Sequence, residues 1–217
     1  GNPMMDSLEK KEFPNNFETY RRLILLCGSR LPEAYQNFKK LLIAIQLIQH
    51  SSPLAVFLPL NSSSMSKTIK LILIDLGFKS TYESIDELGI SEIWKKKSLL
   101  ILIGFNQFSS WANWGEVGVA NAGTATEQLV GLGIPCVSLP GKGPQFNFNF
   151  AKRQSRLLGG AVAIAKGYQA LAKRVEFLLN SDFDRHAIGL RGSKRMGEVG
   201  GSHSLALIIS THLSQRS

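Results

Sequence analysis

The strongest constraint on the fold of this chain is a repeated alternation between short apolar runs and segments of helical length. Each apolar run has four or five residues, which suits a buried strand. The predicted strands are residues 23–27, 54–58, 99–103, 117–120, 136–139 and 161–165. Strands this apolar are typical of a parallel sheet that helices cover on both faces.

The segments between these runs have the period of amphipathic helices. In the first of them Leu41, Leu42, Ile45 and Ile48 recur at helical spacing. The predicted helices are residues 32–49, 66–76, 124–132, 148–157 and 168–179. The alternation therefore predicts an α/β protein with a Rossmann-like doubly wound parallel sheet. Ligands of such sheets bind beyond the carboxyl ends of the strands, so the loops at those ends are the candidate sites.

The length and composition of the chain favour one folded domain. The chain has 217 residues, of which 44% are hydrophobic, enough for one substantial core. Residues 1–20 are polar, contain prolines and lack apolar periodicity, so we expect a flexible leader or linker there and a folded domain over 21–217. Because we find neither a signal-peptide core nor a membrane-length apolar run, we expect a cytoplasmic protein, peripheral to the membrane at most.

The cysteines and histidines do not predict a metal site. Cys27 and Cys136 each lie inside a predicted strand, which favours buried reduced thiols. The four histidines form no close pair of ligand spacing. We expect neither a bound metal nor a cofactor.

The net charge of +9 favours acidic partners. Phosphate groups, anionic membranes and nucleic acid all meet that description, and charge alone does not choose among them.

The most informative loop runs from the fourth predicted strand into a helix at residues 120–128. Gly123 allows a close backbone approach, and the free N–H groups at the start of the helix, with Thr124 and Ala125, would form an anion site for a diphosphate. Alternatively, Thr124 and Glu127 have the spacing of a capping box, in which both side chains only satisfy their own backbone. The loop by itself leaves both interpretations open.

Two further loops carry polar groups. Gly28, Ser29 and Arg30 follow the first strand, and the guanidinium of Arg30 could pair with a phosphate, although an ordinary turn is the competing interpretation. Residues 141–147 follow the fifth predicted strand and include Gln145 and Asn147, whose amides suit sugar hydroxyls because each has a donor and an acceptor. A plain surface loop remains the alternative there.

Several of these motifs together resemble the carboxyl-terminal domain of GT-B glycosyltransferases. The similarity is carried by Gly28-Ser29-Arg30, residues 122–135 and Gln145-Phe146-Asn147, and it is closest to lipid-A-disaccharide synthase-related proteins of cyanobacterial type. Those proteins are also similar at residues 154–159 and 195–197, so the resemblance covers about residues 21–213. It implies one half of a GT-B fold.

The resemblance also implies a nucleotide-sugar donor, commonly a UDP sugar. The diphosphate would lie at Gly28, Ser29, Arg30, Gly123, Thr124 and Ala125, and the sugar at Gln145, Phe146 and Asn147. Family members usually hold the ribose with a carboxylate, but the matching position here is Gln128, and the acid lies one residue earlier at Glu127. We therefore expect the ribose near Glu127 and Gln128.

In this family the acceptor site and usually the catalytic base belong to an amino-terminal domain. Nothing before Arg21 could form that domain, so we expect this chain to be inactive without such a partner and assign no catalytic residue. Ser202 is a plausible N-cap for a last helix, which in GT-B proteins commonly crosses towards the partner domain.

Two other function classes compete with a glycosyltransferase donor domain. One is a protein similar to UDP-sugar 2-epimerases, which share the fold and the phosphate-binding helix. The other is a non-enzymatic basic module for nucleic acid or anionic membrane. Nucleic acid is disfavoured because aromatic residues do not interleave with the basic ones, although Trp94, Trp111 and Trp114 count weakly against this.

Overall fold

The computed structural model describes residues 1–9, 11–81, 85–141 and 146–214, and it contains an eight-stranded sheet. In chain order the strands are β1 (Arg21–Leu26), β2 (Leu54–Leu60), β3 (Lys79–Ser80), β4 (Glu92–Lys96), β5 (Leu99–Phe105), β6 (Val117–Ala120), β7 (Cys136–Ser138) and β8 (Val162–Ile164). Their order across the sheet is β3-β4-β5-β2-β1-β6-β7-β8. In that order β5, β2, β1, β6, β7 and β8 pair in parallel. β4 and β3 extend the sheet beyond β5 in antiparallel pairing.

Helices follow most of the parallel strands. They are α1 (Glu33–Ile45), α2 (Ser66–Asp75), α3 (Phe108–Trp111), α4 (Thr124–Gly131), α5 (Phe148–Leu157), α6 (Tyr168–Asn180), α7 (Asp182–Met196) and α8 (Gly201–Ser214). Helix α1 packs with α2 and α6, whereas α4 packs with α7. The predicted α/β doubly wound fold is confirmed, with the chain reversing its direction of winding between β1 and β6.

All six predicted strands are present, and the structure adds two that the sequence did not reveal. β3 has two residues and β4 includes Glu92, Lys95 and Lys96, so neither resembles the apolar runs of the parallel strands. Edge strands commonly carry charge because only one side is paired. Helix α7 was also not predicted, since its buried face consists of Ile188 and two glycines and has little apolar periodicity.

Described residues of the segment 1–20 pack against the domain, whereas the sequence predicted a flexible leader there. The side chains of Met5 and Phe17 are only 4% and 5% exposed. The ring of Phe17 meets that of Phe57 edge to face at 5.9 Å, and the Trp114 indole N–H donates to the carbonyl oxygen of Lys11 at 3.1 Å. These anchors are single residues without a regular spacing, so no periodicity shows them in the sequence.

The start of α8 also differs from the expectation. The carboxylate of Asp6, and not a Ser202 N-cap, accepts hydrogen bonds from the backbone N–H groups of Gly200 and Ser202 at 2.6 and 2.7 Å. Hydrogen bonds from Ser202 are the main cause that lowers the pKa of Asp6 to about 2. Beyond this contact α8 leaves the domain, with Leu205 and Ile208 53% and 65% exposed. Within the described ranges, no helix is both long and apolar enough to cross a membrane.

We predict that Phe17→Ala lowers the free energy of unfolding by about 3–5 kcal/mol, because it removes a buried ring from the core. Urea denaturation measures this change. The matched control is Phe183→Ala, which truncates a ring that is 82% exposed and should change stability by no more than about 0.5 kcal/mol. Equal, small effects of both substitutions would contradict the packing of the amino-terminal segment.

Candidate functional site

A cleft of about 670 Å³ opens where the winding of the chain reverses. The last paired residues of β1 and β6 are Leu26 and Ala120, and beyond them the two chain segments diverge into the loops before α1 and α4. These loops, the end of β2 and two aromatic rings near α5 form the walls. The lining residues are Leu26, Cys27, Gly28, Ser29, Arg30, Glu33, Ala34, Asn37, Pro59, Asn61, Asn121, Ala122, Gly123, Thr124, Ala125, Gln128, Phe146 and Phe150.

The loop after β1 requires glycine at position 28. Gly28 has φ +85°, and a Cβ atom there would lie 3.2 Å from the backbone oxygen of Asn121. Both the left-handed backbone and the close approach of the neighbouring loop disfavour any side chain. The turn directs Ser29 and Arg30 to the exposed rim of the cleft, where both line it.

The buried amide of Asn121 joins three strands at the floor of the cleft. Its side chain is among the least exposed polar groups, donating from Nδ2 to the Leu139 carbonyl oxygen at 2.8 Å and accepting from the Leu139 N–H at 3.1 Å. Its backbone N–H donates to the carbonyl oxygen of Leu26 at 2.7 Å. Asn121 therefore satisfies a backbone group of Leu26 through its own backbone and two backbone groups of Leu139 through its side-chain amide.

Helix α1 braces the same region from the other side of the cleft. Asn37 Nδ2 donates to the Cys27 carbonyl oxygen at 3.2 Å, and Asn37 Oδ1 accepts from Asn121 Nδ2 at 3.2 Å. Lys40 Nζ donates to the carbonyl oxygens of Leu139 and Pro140, both at 3.3 Å. Partial burial lowers the pKa of Lys40. These contacts hold the loops after β1 and β7 at fixed positions relative to each other.

The amino terminus of α4 has no side-chain cap, so the predicted alternative of a capping box is wrong. Gly123 is the N-cap residue, and Thr124 and Ala125 are the first two residues of the helix. The N–H groups of the first helical residues have no carbonyl partner within a helix, and both of these residues line the cleft. A Cβ atom on Gly123 would have nothing within 4 Å, so the space in front of this terminus is open.

Gln154 of α5 supports this terminus from behind. Its side chain is 2% exposed, and Nε2 donates to the carbonyl oxygens of Ala122 and Gly123 at 3.3 and 3.1 Å. The same nitrogen lies 3.4 Å from Glu127 Oε1. The carboxylate of Glu127 is thus turned towards α5, and of the two predicted ribose residues the structure brings Gln128 to the cleft.

The predicted sugar residues are separated by the structure. Phe146 is 7% exposed and lines the cleft beside Phe150, with ring centroids 5.2 Å apart. Asn147 instead caps α5, because its Oδ1 accepts from the Phe150 N–H at 2.9 Å. Gln145 lies outside the described residues.

The cleft contains few ionisable groups. Among its lining residues the groups that carry charge at neutral pH are Arg30 and Glu33. Burial raises the pKa of the Cys27 thiol to about 12, so this group is a neutral thiol and not a nucleophile. Cys27 and Cys136 are both free and buried, as the sequence predicted. The described part of the cleft is therefore suited to binding and provides one cation for an anionic ligand.

We predict that Asn121→Ala destabilises the protein strongly, by roughly 1–3 kcal/mol for each backbone group of Leu139 that is left buried without a partner. The control is Asn61→Ala, which removes an exposed amide from the same cleft and should leave stability almost unchanged. Thermal denaturation of the two variants makes the comparison. A wild-type melting temperature for Asn121→Ala would show that this network is not needed.

Comparison with known proteins gives similarity in structure only. No family profile matches the sequence, and no curated protein matches it. The carboxyl-terminal CMP-Kdo binding domain of WaaA from Acinetobacter baumannii is similar over 84% of this chain and 92% of that domain, with 15% identity and a TM-score of 0.58. S. aureus MnaA, whose structure contains UDP, is similar over 97% of this chain and 52% of that protein, with 12% identity and a TM-score of 0.61. This chain has the fold of one half of a GT-B protein.

A further similar structure comes from Listeria monocytogenes and was assigned to UDP-N-acetylglucosamine 2-epimerase. It shares 12% identity with this chain and covers 98% of it, with a TM-score of 0.60. This chain spans about half the length of the Listeria and S. aureus proteins, at 51% and 52%. The GT-B half-fold is thus the common element, and identities this low carry no information on substrate.

Proposed function

We propose that this chain is the nucleotide-sugar-binding domain of a GT-B glycosyltransferase of the lipid-A-disaccharide synthase type, with a UDP sugar as donor. The observation that carries the proposal is the amino terminus of α4, which has no side-chain cap and faces open space at Gly123. This terminus lies in the cleft where the winding of the chain reverses. Such a terminus attracts a diphosphate through its free N–H groups and the positive end of its dipole. The UDP-bound and CMP-Kdo-binding structures of similar fold support a nucleotide or nucleotide sugar as the class of ligand.

The proposed diphosphate lies between the loops that follow β6 and β1. Thr124 and Ala125 provide backbone N–H groups on one side, and Ser29 and Arg30 form the rim on the other. A guanidinium presents paired N–H donors that match phosphate oxygens, so Arg30 would neutralise part of the charge. Glu33, in the first turn of α1, also lines the cleft. Its negative charge would repel a phosphate group placed close to α1.

The nucleoside and sugar would occupy the remaining walls of the cleft. Gln128 lines it one turn along α4 from the proposed phosphate position, which suits a ribose hydroxyl. The rings of Phe146 and Phe150 give an apolar surface against which a sugar or base can pack. Asn61 at the end of β2 adds an exposed amide. We retain Gln145 and Asn147 as proposed sugar contacts of lower priority, since Asn147 Oδ1 already caps α5.

Transfer would need a second domain that carries the acceptor site and the base. The similar Listeria and S. aureus proteins are about twice as long as the part that this chain matches, and this supports a second domain. Helix α8 is a suitable contact for that domain, because its aliphatic side chains, such as Leu205, Ile209 and Leu213, are more than half exposed. Exposed aliphatic side chains that lie together on a surface commonly mark a contact with another protein or domain. Peripheral contact with an anionic membrane remains a proposal that rests on the net charge of +9.

Epimerisation of a UDP sugar is the second candidate function, and similarity to the Listeria structure favours it. Both reactions use the same donor cleft, so binding studies do not distinguish them. Product analysis after incubation of the longest protein that the gene encodes with UDP-N-acetylglucosamine does. A changed configuration at C2 would indicate an epimerase, and a new glycoside would indicate a transferase.

A nucleic-acid-binding module is disfavoured by the positions of the tryptophans. Trp94, Trp111 and Trp114 are 6%, 0% and 3% exposed, so these rings are not available to stack on bases. Single-strand binding surfaces combine exposed aromatic rings with cations. The three tryptophans therefore do not provide such a surface.

We predict that UDP binds with a dissociation constant of tens of micromolar to millimolar, which corresponds to roughly 4–6 kcal/mol. Gly123→Ala should weaken binding by at least about tenfold, or 1.4 kcal/mol, because its methyl group enters the space proposed for the phosphate. Gly167→Ala is the matched control, since Gly167 also faces open space but does not line the cleft. Titration calorimetry gives both constants, and failure of the folded wild type to bind several millimolar UDP would refute the donor site.

A second prediction separates the phosphate contact from the nucleoside contact. Arg30→Ala should weaken binding of UDP by several-fold while leaving binding of uridine unchanged, because only UDP carries charge for the guanidinium. Lys39→Ala removes an exposed cation from α1 outside the cleft and should change neither affinity. Equal losses for UDP and uridine in Arg30→Ala would place Arg30 away from the diphosphate.

A further inference from the structure

The first residues of the chain bind together helices that are distant in sequence. Residues 2–6, here called the amino-terminal clasp, begin with Asn2, whose side-chain amide donates to the carbonyl oxygen of Met196 at 2.8 Å. The backbone N–H of Asn2 donates to the Glu198 carbonyl oxygen at 2.7 Å. The clasp ends with Asp6, whose carboxylate caps α8. The segment therefore connects the end of α7 to the beginning of α8 through hydrogen bonds.

Met5 anchors the clasp on α4, the helix that begins at the proposed phosphate site. Its side chain is 4% exposed and lies directly against Gly131. A Cβ atom on Gly131 would collide with Sδ of Met5, so the absence of a side chain at this position creates the space for the methionine. The contact lies one turn beyond Gln128 on the same helix.

The clasp also fixes the side chain of Gln128. Nε2 of Gln128 donates to the carbonyl oxygen of Met4 at 2.6 Å and lies 3.4 Å from the hydroxyl oxygen of Ser7. A backbone carbonyl is only an acceptor, so the amide must present its nitrogen to Met4. The amide oxygen then lies on the other side of the group, and Gln128 lines the cleft.

We propose that the amino-terminal clasp positions Gln128 so that its Oε1 accepts a hydrogen bond from a ribose hydroxyl, an inference that rests on the proposed nucleotide site. The oriented amide then presents a single acceptor where related proteins use a carboxylate. Because Met4 already immobilises the side chain, the ligand does not have to order it. Gln128 is in this view a ribose ligand, and Met4, Met5 and Asp6 are positioning residues.

This arrangement makes glutamate a poor replacement at position 128. In Gln128→Glu one carboxylate oxygen would face the carbonyl oxygen of Met4, where two acceptors repel each other. The side chain would leave the clasp, so we expect the substitution to weaken binding of UDP and uridine. Tighter binding by Gln128→Glu would overturn the proposal, because a carboxylate would then act there independently of the clasp.

The decisive experiment is a double-mutant cycle in the full chain, with UDP and uridine as ligands in titration calorimetry. Met5→Asp introduces a charge at the buried anchor and should release the clasp. We expect it to weaken both ligands to the same extent, by about two- to tenfold, which is the range for ordering one flexible side chain. In a Gln128→Ala background the same Met5→Asp substitution should have no further effect on either ligand.

Phe17→Ala is the control for general loss of stability. Its ring packs on Phe57, so this variant should be less stable than wild type yet bind UDP with unchanged affinity at a temperature where it is folded. An equal loss of affinity in Phe17→Ala, or an effect of Met5→Asp that persists without Gln128, would overturn the positioning role and leave the nucleotide site intact. If the folded wild type binds neither ligand, the nucleotide site and the role of the clasp are both refuted.

Discussion

The pairing of β1 with β6 is the constraint on which the rest of this structure depends. These two strands are neighbours in the centre of the sheet but are separated in sequence by nearly a hundred residues, and the chain winds outward from them in both directions. The loops at their carboxyl ends must therefore diverge, which leaves a cleft between them. Asn121 prevents the opened end from exposing unsatisfied backbone, because its amide completes the hydrogen bonds that the separating strands can no longer make.

The polar groups that shape the described part of the cleft are mainly amides and backbone groups. Gln154 supports the loop before α4, Asn121 and Asn37 hold its floor, and Gln128 lines its wall. A buried amide costs less to desolvate than an ion, provided that its donors and acceptors are matched. Among the described lining residues the charged side chains are Arg30 and Glu33, so the amino terminus of α4 would supply much of the attraction for the proposed diphosphate.

The amino-terminal residues connect this site to the carboxyl-terminal end of the described chain. Asn2 and Asp6 join the end of α7 to the start of α8, while Met4 and Met5 contact α4. A domain that docked on the exposed aliphatic side chains of α8 would contact an element that shares the clasp with the proposed ribose ligand. The geometry thus gives a short physical connection between the exposed side chains of α8 and the proposed nucleotide site.

The amino-acid sequence was enough to predict the parallel core of the fold and the loops in which a ligand site should be sought. Buried strands and amphipathic helices are encoded by local periodicity, so β1, β2, β5, β6, β7 and β8 could be located from apolar runs, and Gly28, Gly123 and Thr124 could be placed at strand ends. The packing of the folded chain selected which polar groups serve the fold and which face the cleft. It turned Glu127 towards Gln154, assigned Asn147 to a helix cap, and packed Met5 and Phe17 into the domain. Each of these outcomes depends on a partner distant in sequence or on a helix boundary, and neither leaves a periodic signal in the chain.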